Sequence, residues 1–196
     1  MEKKTLGILG IVLIAAGIAG LALISVYSPY TDRWTDYGGM MGGGMMGDMD
    51  RIFIEQMIPH HEDAVLMADL ALQKAEHEEI KQLAADIKTA QTREINDMRS
   101  WYKSWYGGEV PQNSMGMGRG MMGEDADIEH LKNASPFDKE FIEQMIPHHQ
   151  MAVMMAQMAF LASDRAEIRT LAKNIIASQN REIVRMRDWY SRWYAQ

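Results

Sequence analysis

A nine-residue stretch, Phe53-Ile54-Glu55-Gln56-Met57-Ile58-Pro59-His60-His61, returns unchanged as Phe141-Ile142-Glu143-Gln144-Met145-Ile146-Pro147-His148-His149. Around it, residues 53–106 align without a gap to residues 141–194, at an offset of about 88 and with roughly half of the positions identical. Self-similarity at a fixed period is the mark of a repeated structural unit, so any fold proposed for one copy must also suit the other. The closing segments repeat as well. Gln91-Thr92-Arg93-Glu94-Ile95, followed by Trp101-Tyr102 and Trp105-Tyr106, is answered by Gln179-Asn180-Arg181-Glu182-Ile183, followed by Trp189-Tyr190 and Trp193-Tyr194.

Each copy reads as a helical hairpin. In the first arm, Phe53, Met57, His60, Ala64, Met67 and Ala71 recur in steps of four and three, which is one stripe of a helix. The second copy repeats all six types as Phe141, Met145, His148, Ala152, Met155 and Ala159. A neighbouring stripe holds Ile54, Ile58, His61, Val65, Ala68 and Leu72, so both histidines belong to the broad inward face. The second arm, from about Glu76 to Tyr106, carries the seam Ile80, Ala84, Ile87, Gln91, Glu94, Met98, Trp101 and Trp105. Two polar residues break that apolar seam, and the second copy has the same break at Gln179 and Glu182. A turn near Lys74 to His77 makes the arms antiparallel neighbours. It sets His60 opposite Gln91 and Met57 opposite Glu94.

Pro59 and Pro147 fall inside the first arms. An interior proline removes a backbone hydrogen bond and kinks a helix. The stripe continues through Phe53 and Met57, which favours a kinked helix over one that starts at the proline; a start at the proline's first turn is the alternative. Ser135-Pro136 reads as the start of the second copy's helix, with Ser135 as cap.

Two histidines on an inward face, stated twice and level with a polar break, point to metal ligation. Thioether sulfur is a soft ligand that favours Cu(I), and imidazole accepts either copper state. Met57 lies three residues before His60 and four before His61, so the three share a helix face, and Met67 continues the His60 stripe. Gln91, Glu94, Gln179 and Glu182 suit the task of orienting imidazoles through their other ring nitrogen. The bland alternative is a core histidine and core methionines. In the second copy Met151, Met154 and Met158 stand where the first has Asp63, Leu66 and Leu70. That stripe is a further soft-metal site or a contact for a partner. His77 and His130 have no counterpart in the other copy and receive no role. The Trp-Tyr pairs are expected to pack at the end of the helices.

Composition narrows the chemistry. The 196 residues include no cysteine, which removes disulfides, thiolate zinc sites and cysteine catalysis. A net charge of −7 without a long basic run argues against nucleic acid. Nineteen methionines are an excess, and many sit where there is no core to fill. They occupy glycine-rich stretches at Gly38–Gly47 and at Met115-Gly116-Met117-Gly118-Arg119-Gly120-Met121-Met122-Gly123. Glycine makes such segments flexible. Met115, Met117, Met121 and Met122 are auxiliary soft-metal candidates, or else part of a plain tether. There is no Glu-x-x-His spacing of a di-iron bundle at these histidines, no phosphate loop and no nucleophile–base signature.

The N-terminus carries Lys3 and Lys4 before an uncharged apolar run from Leu6 to Val26. About 20 apolar residues suffice to span a bilayer. The stretch reads as a retained anchor, with a cleaved signal as the alternative, since Val26-Tyr27-Ser28 is a poor cleavage site. The flanking lysines place the rest of the chain outside the cytoplasm.

The Met-Ile-Pro-His-His core followed by Ala-Val-x-Met-Ala, with Arg-Glu-Ile and a methionine late in the next helix, resembles the domain-of-unknown-function 305 family. Its copper-associated members include the CopM-like extracytoplasmic proteins. The resemblance covers both copies, from about Met49 to Tyr106 and Phe137 to Tyr194. It implies a ferritin-like helical bundle and binding of copper, or silver, outside the cytoplasm. The ligands it implies are Met57, His60, His61 and Met67, then Met145, His148, His149 and Met155.

The expectation is therefore an all-α chain: a ferritin-like four-helix bundle of two repeated hairpins, plus an N-terminal transmembrane helix. Its segments are an anchor or signal (1–28), a Met/Gly-rich linker (29–48), the first hairpin (49–106), a Met/Gly-rich and acidic linker (107–135) and the second hairpin (136–196). The expected partners are copper ions, favouring Cu(I) and admitting Cu(II) or Ag(I), and the membrane. A homo-oligomer or a copper-transfer protein joins that set, whereas nucleic acid and organic cofactors do not. Sequestration, tolerance or delivery of copper is the expected role. The alternatives are a metal-dependent redox enzyme such as a cuprous oxidase, or an interaction bundle that binds no metal.

Overall fold

A computed structural model describes residues 44–111 and 124–194. These form five α-helices and no strand. They are α1 (Gly44–Lys74), α2 (Glu78–Tyr106), α3 (Glu124–Asn133), α4 (Phe137–Ala162) and α5 (Ala166–Tyr194). The expected N-terminal anchor and Met115, Met117, Met121 and Met122 lie outside the described residues. Among the described residues no helix is long and apolar enough to cross a membrane.

The helix ends follow local chemistry. Glu78 and Glu79 sit in the first turn of α2 and Lys103 in its last, each sign facing the favourable end of the helix dipole. Gly107 ends α2 with φ 74°, a left-handed conformation that glycine adopts without a Cβ clash, and its N–H reaches the Lys103 carbonyl. The helix α4 begins one residue later than the sequence suggested. Pro136 is its cap, with no capping side chain, and Ser135 lies outside. The stretch Glu124–Asn133, expected as an acidic linker, is helical. Pro59 and Pro147 both lie within helices, α1 and α4, so neither starts one.

Only residues 75–77 join α1 to α2, close to the expected turn. Bonds Lys88–Asp69 and Tyr102–Glu55 tie the two arms in antiparallel order. The pair α4 and α5 repeats this arrangement, with Tyr190 donating to Glu143 as Tyr102 does to Glu55. The two hairpins meet along α1 and α4, and α3 packs on both of these.

The core falls into two apolar clusters. One joins Ala64, Met67 and Ile80 to Phe141, Met145 and Met186. The other joins Phe53, Met57 and Met98 to Ala152, Leu171 and Ile175. Each cluster thus takes one half of every long helix, so the hairpins lie end over end against each other. Burial follows most of the predicted stripes, but Val65, Trp101, Trp105, His148 and Met155 are only half-buried and Leu72 is exposed. The α2 seam is wider than expected, because Leu83, Ile95 and Tyr102 are buried beside it.

The hairpins also clamp each other at their turns. Asp138, buried at the start of α4, accepts bonds from the backbone N–H groups of Glu76 and His77 and from His77 Nδ1 at 2.6 Å. His77 stacks on Trp193, ring centroids 3.7 Å apart. On the other side, buried Asp50 pairs with Arg165 at 3.2 Å, and Arg165 lies over the Trp105 ring at 4.1 Å. His77, given no role from sequence, is therefore one half of a turn clamp whose counterpart is Arg165. His130 pairs with Glu140 at 2.9 Å. The aromatic pairs stack at the helix ends as expected.

Candidate metal centre

Between the two apolar clusters runs a single polar layer. On α1 the gap between clusters holds His60 and His61, and on α4 it holds His148 and His149. On α2 it holds Gln91 and Glu94, and on α5 Gln179 and Glu182. His60, His61, Gln91, Glu94, His149 and Gln179 are all buried. Periodic placement on four helices thus sets eight polar side chains at one level of an otherwise apolar core.

Within each hairpin one histidine meets its carboxylate. His61 Nε2 lies 2.8 Å from Glu94, and His149 Nε2 lies 2.6 Å from Glu182. The sequence had paired the Glu94 level with Met57 and the Gln91 level with His60. It is His61 that reaches Glu94, because His60 turns to the other hairpin. His60 and His148 stand ring to ring with centroids 3.7 Å apart and planes at 40°. The carboxylate accepts the Nε2 proton of each ring, which leaves Nδ1 as the nitrogen turned away from it. Those two Nδ1 atoms are buried and have no hydrogen-bond partner.

The facing pair is still less satisfied. His60 Nδ1 and both ring nitrogens of His148 are buried without a partner, as are the side-chain oxygens of Gln91 and Gln179. An unsatisfied buried polar atom costs about 1–3 kcal/mol. Burial, then the neighbouring His61 and His149, pushes the His60 pKa down to about 3. Burial, then the charges His60, His149 and His61 would carry, drives His148 well below the usual histidine value. Both rings are neutral at ordinary pH, and each keeps a lone pair that no proton occupies.

The methionines divide between the clusters. Met57 and Met145 are fully buried, each on the same helix as a histidine pair and just before it. Met67 packs in the cluster of Met145, whereas Met155 packs against the cluster of Met57. So Met57 and Met67, which share one stripe with His60, lie in different clusters. Ten residues of helix separate them, a rise of about 15 Å. Met151 is half-buried, and Met154 and Met158 are exposed. Glu94 also lines an open groove of ≈ 650 Å³ between α2 and α5, beside Arg93, Asp97 and Glu167. Among the described residues no three His, Asp or Glu side chains gather as a metal cage by themselves. What sequence reasoning missed is the meeting of His60 with His148; only the identical stripes of the two first arms hinted at it.

Residues 50–190 match the family model described as Domain of unknown function (DUF305). The chain belongs to the DUF305 family. Among solved structures, CopM in a Cu(I)-bound form is 49% identical, with a TM-score of 0.68 over 74% of this chain and 97% of that one. CopM in a Cu(II)-bound form gives 47% identity and a TM-score of 0.65 over 74% and 98%, and Ag-bound forms match too. A Streptomyces coelicolor structure described as a "putative secreted protein DUF305" is 27% identical with a TM-score of 0.66 over 74% of this chain and 93% of that one. A curated relative, the uncharacterized protein L153 of Acanthamoeba polyphaga mimivirus, is 41% identical over 51 residues, 26% of this chain. The chain spans about a third (34%) of that relative's length.

Proposed function

We propose that this protein binds copper in the polar layer shared by its two hairpins. It holds Cu(I) by preference and admits Cu(II) or Ag(I). The observation that carries the reading is the set of buried, unpartnered ring nitrogens on His60, His61, His148 and His149. Such atoms are costly in an empty core and become ligands when a soft cation is present. Metal ligands must be deprotonated, and the depressed His60 and His148 already are. Thioether sulfur from Met57 and Met145 completes the donor set, with Met67 and Met155 farther along the same helices. Glu94 and Glu182 hold His61 and His149 in the tautomer that offers Nδ1. Gln91 and Gln179 supply polar oxygens to the same layer.

The duplicated stripes support two tandem copies forming a ferritin-like four-helix bundle. We read the protein as a copper binder acting in sequestration, tolerance or delivery, not as an enzyme. The apolar run 6–26 is the anchor that keeps it at the outer side of the membrane, and the Met-Gly stretches capture copper loosely nearby. A secreted relative and copper-bound CopM are consistent with that location and cargo. Delivery calls for a copper-transfer partner or a second copy of the chain.

The test is a Cu(I) competition titration of the full chain against a chromophoric chelator. His60→Ala together with His148→Ala removes most tight binding. Unchanged stoichiometry and affinity in that double variant overturn the assignment.

A further inference from the structure

The two copies share their histidines but differ in how open the adjoining stripe is. In the first copy the stripe His60, Asp63, Met67, Leu70 is less open, with His60 and Met67 buried and Asp63 and Leu70 half-buried. Ile128 and Leu131 of α3 pack into the same cluster as Met67 and Leu70. In the second copy the stripe reads His148, Met151, Met155, Met158. His148, Met151 and Met155 are half-buried, and Met158 is 48% exposed. Met154, one turn before Met158, is 47% exposed. Successive members lie three or four residues apart, so each thioether is the helical neighbour of the next. The stripe thus grades from open surface to a histidine whose two ring nitrogens are buried and unpartnered.

An interior packing role does not explain methionine at the exposed end, where a flexible apolar side chain gains little from burial. A line of soft, neutral donors ending at an unsatisfied imidazole has a chemical use. Cu(I) can pass along it by ligand exchange, one thioether replacing another, with no change of oxidation state and no proton released. Thioether prefers Cu(I) to hard divalent ions, so the same line filters what reaches the interior.

We infer that Met158, Met154, Met151 and Met155 form a one-sided intake path for Cu(I), which loads the buried centre through His148 and not through His60. The inference rests on the copper reading of the histidine layer and adds the direction and the kinetic role. It makes the two copies unequal in function: the first closes the site and the second admits the ion.

The experiment is stopped-flow transfer of Cu(I) from a chromophoric chelator to the full chain. Met151→Leu, Met154→Leu and Met158→Leu are combined, since leucine keeps the apolar volume and removes the sulfur. Uptake is expected to slow by about tenfold, the size of effect that loss of a favourable step on the path gives. Final occupancy and affinity stay within about twofold. Met154→Leu with Met158→Leu, both at exposed positions, is the fallback variant, and its helicity is checked by circular dichroism. An unchanged uptake rate in the folded variants overturns the path. So does a loss of one bound ion at unchanged rate, which makes the stripe a storage site. If His60→Ala with His148→Ala binds Cu(I) as tightly as the parent, the copper reading itself falls and the path with it. That result is read on the histidine variant, independently of the methionine variants.

Discussion

His60 on α1 and His148 on α4 lie ring against ring, centroids 3.7 Å apart, although 88 residues separate them in the chain. Each belongs to a different hairpin, and each has at least one buried ring nitrogen without a partner. The contact therefore joins the two copies at the point where the core is least satisfied. Under the proposed function, stability and binding are set against each other there.

Removing the conflict is expected to stabilise the metal-free protein. His60→Leu with His148→Leu replaces orphaned polar atoms by apolar ones between two apolar clusters. The apo fold gains about 1–3 kcal/mol, the usual cost of an unsatisfied buried group. Urea unfolding in the presence of a copper chelator measures it. A double variant that unfolds at lower urea than the parent contradicts the prediction.

The carboxylates act through the histidines they hold. Glu94→Gln and Glu182→Gln keep the shape of the side chain but no longer provide a carboxylate acceptor at His61 and His149. Copper affinity is expected to drop about 10–100-fold with helicity retained, the usual effect of losing such a partner. Competition titrations of the two single variants decide it, and parent-like affinity in both counts against the orienting role.

Stability of the apo form should fall on the acid side. The folded pKa of His60 is lowered to about 3 and that of His148 well below its ordinary value. In the unfolded chain both titrate near 6.5. Below that pH the unfolded state binds more protons, so stability is full above about pH 6.5 and is lost as pH falls toward 3. Each histidine contributes a slope of about 1.4 kcal/mol per pH unit in that window. Denaturation at pH 7.5 and pH 5 tests this, and the His60→Leu, His148→Leu double variant should lose most of the difference.

The two turn clamps are not equivalent. Asp138 accepts three N–H donors from the opposite turn. Asp50 holds one arginine, and its Oδ1 is buried without a partner. Asp138→Ala is therefore expected to cost about 2–4 kcal/mol and Asp50→Ala about half of that. Thermal or urea unfolding ranks them. Equal losses contradict the ranking.

Most of the helical architecture is written in local pattern. The 3.6-residue stripes, the turn after Lys74 and the polar breaks at Gln91 with Glu94 and Gln179 with Glu182 all follow from neighbours along one helix. So does the inward placement of His60, His61 and His149. Details that depend on one backbone torsion were less legible. The cap of α4 is Pro136 in place of Ser135, and the acidic stretch before it is helical. Burial read from one stripe also differs at Leu72, near the C-terminal end of α1, which is exposed.

By itself the sequence determined two matching sets of helical stripes, a cysteine-free choice of imidazole and thioether side chains, and a polar break that recurs with each set. Those are properties of spacing and residue type, which one helix expresses without reference to another. Only the tertiary structure decided that His61 takes Glu94 while His60 takes His148, that Met57 and Met67 part into different clusters, and that the second copy stands more open than the first. These depend on how two hairpins cross. Residues 88 apart share no local geometry, so their meeting is set by which apolar halves bury each other when the hairpins lie end over end.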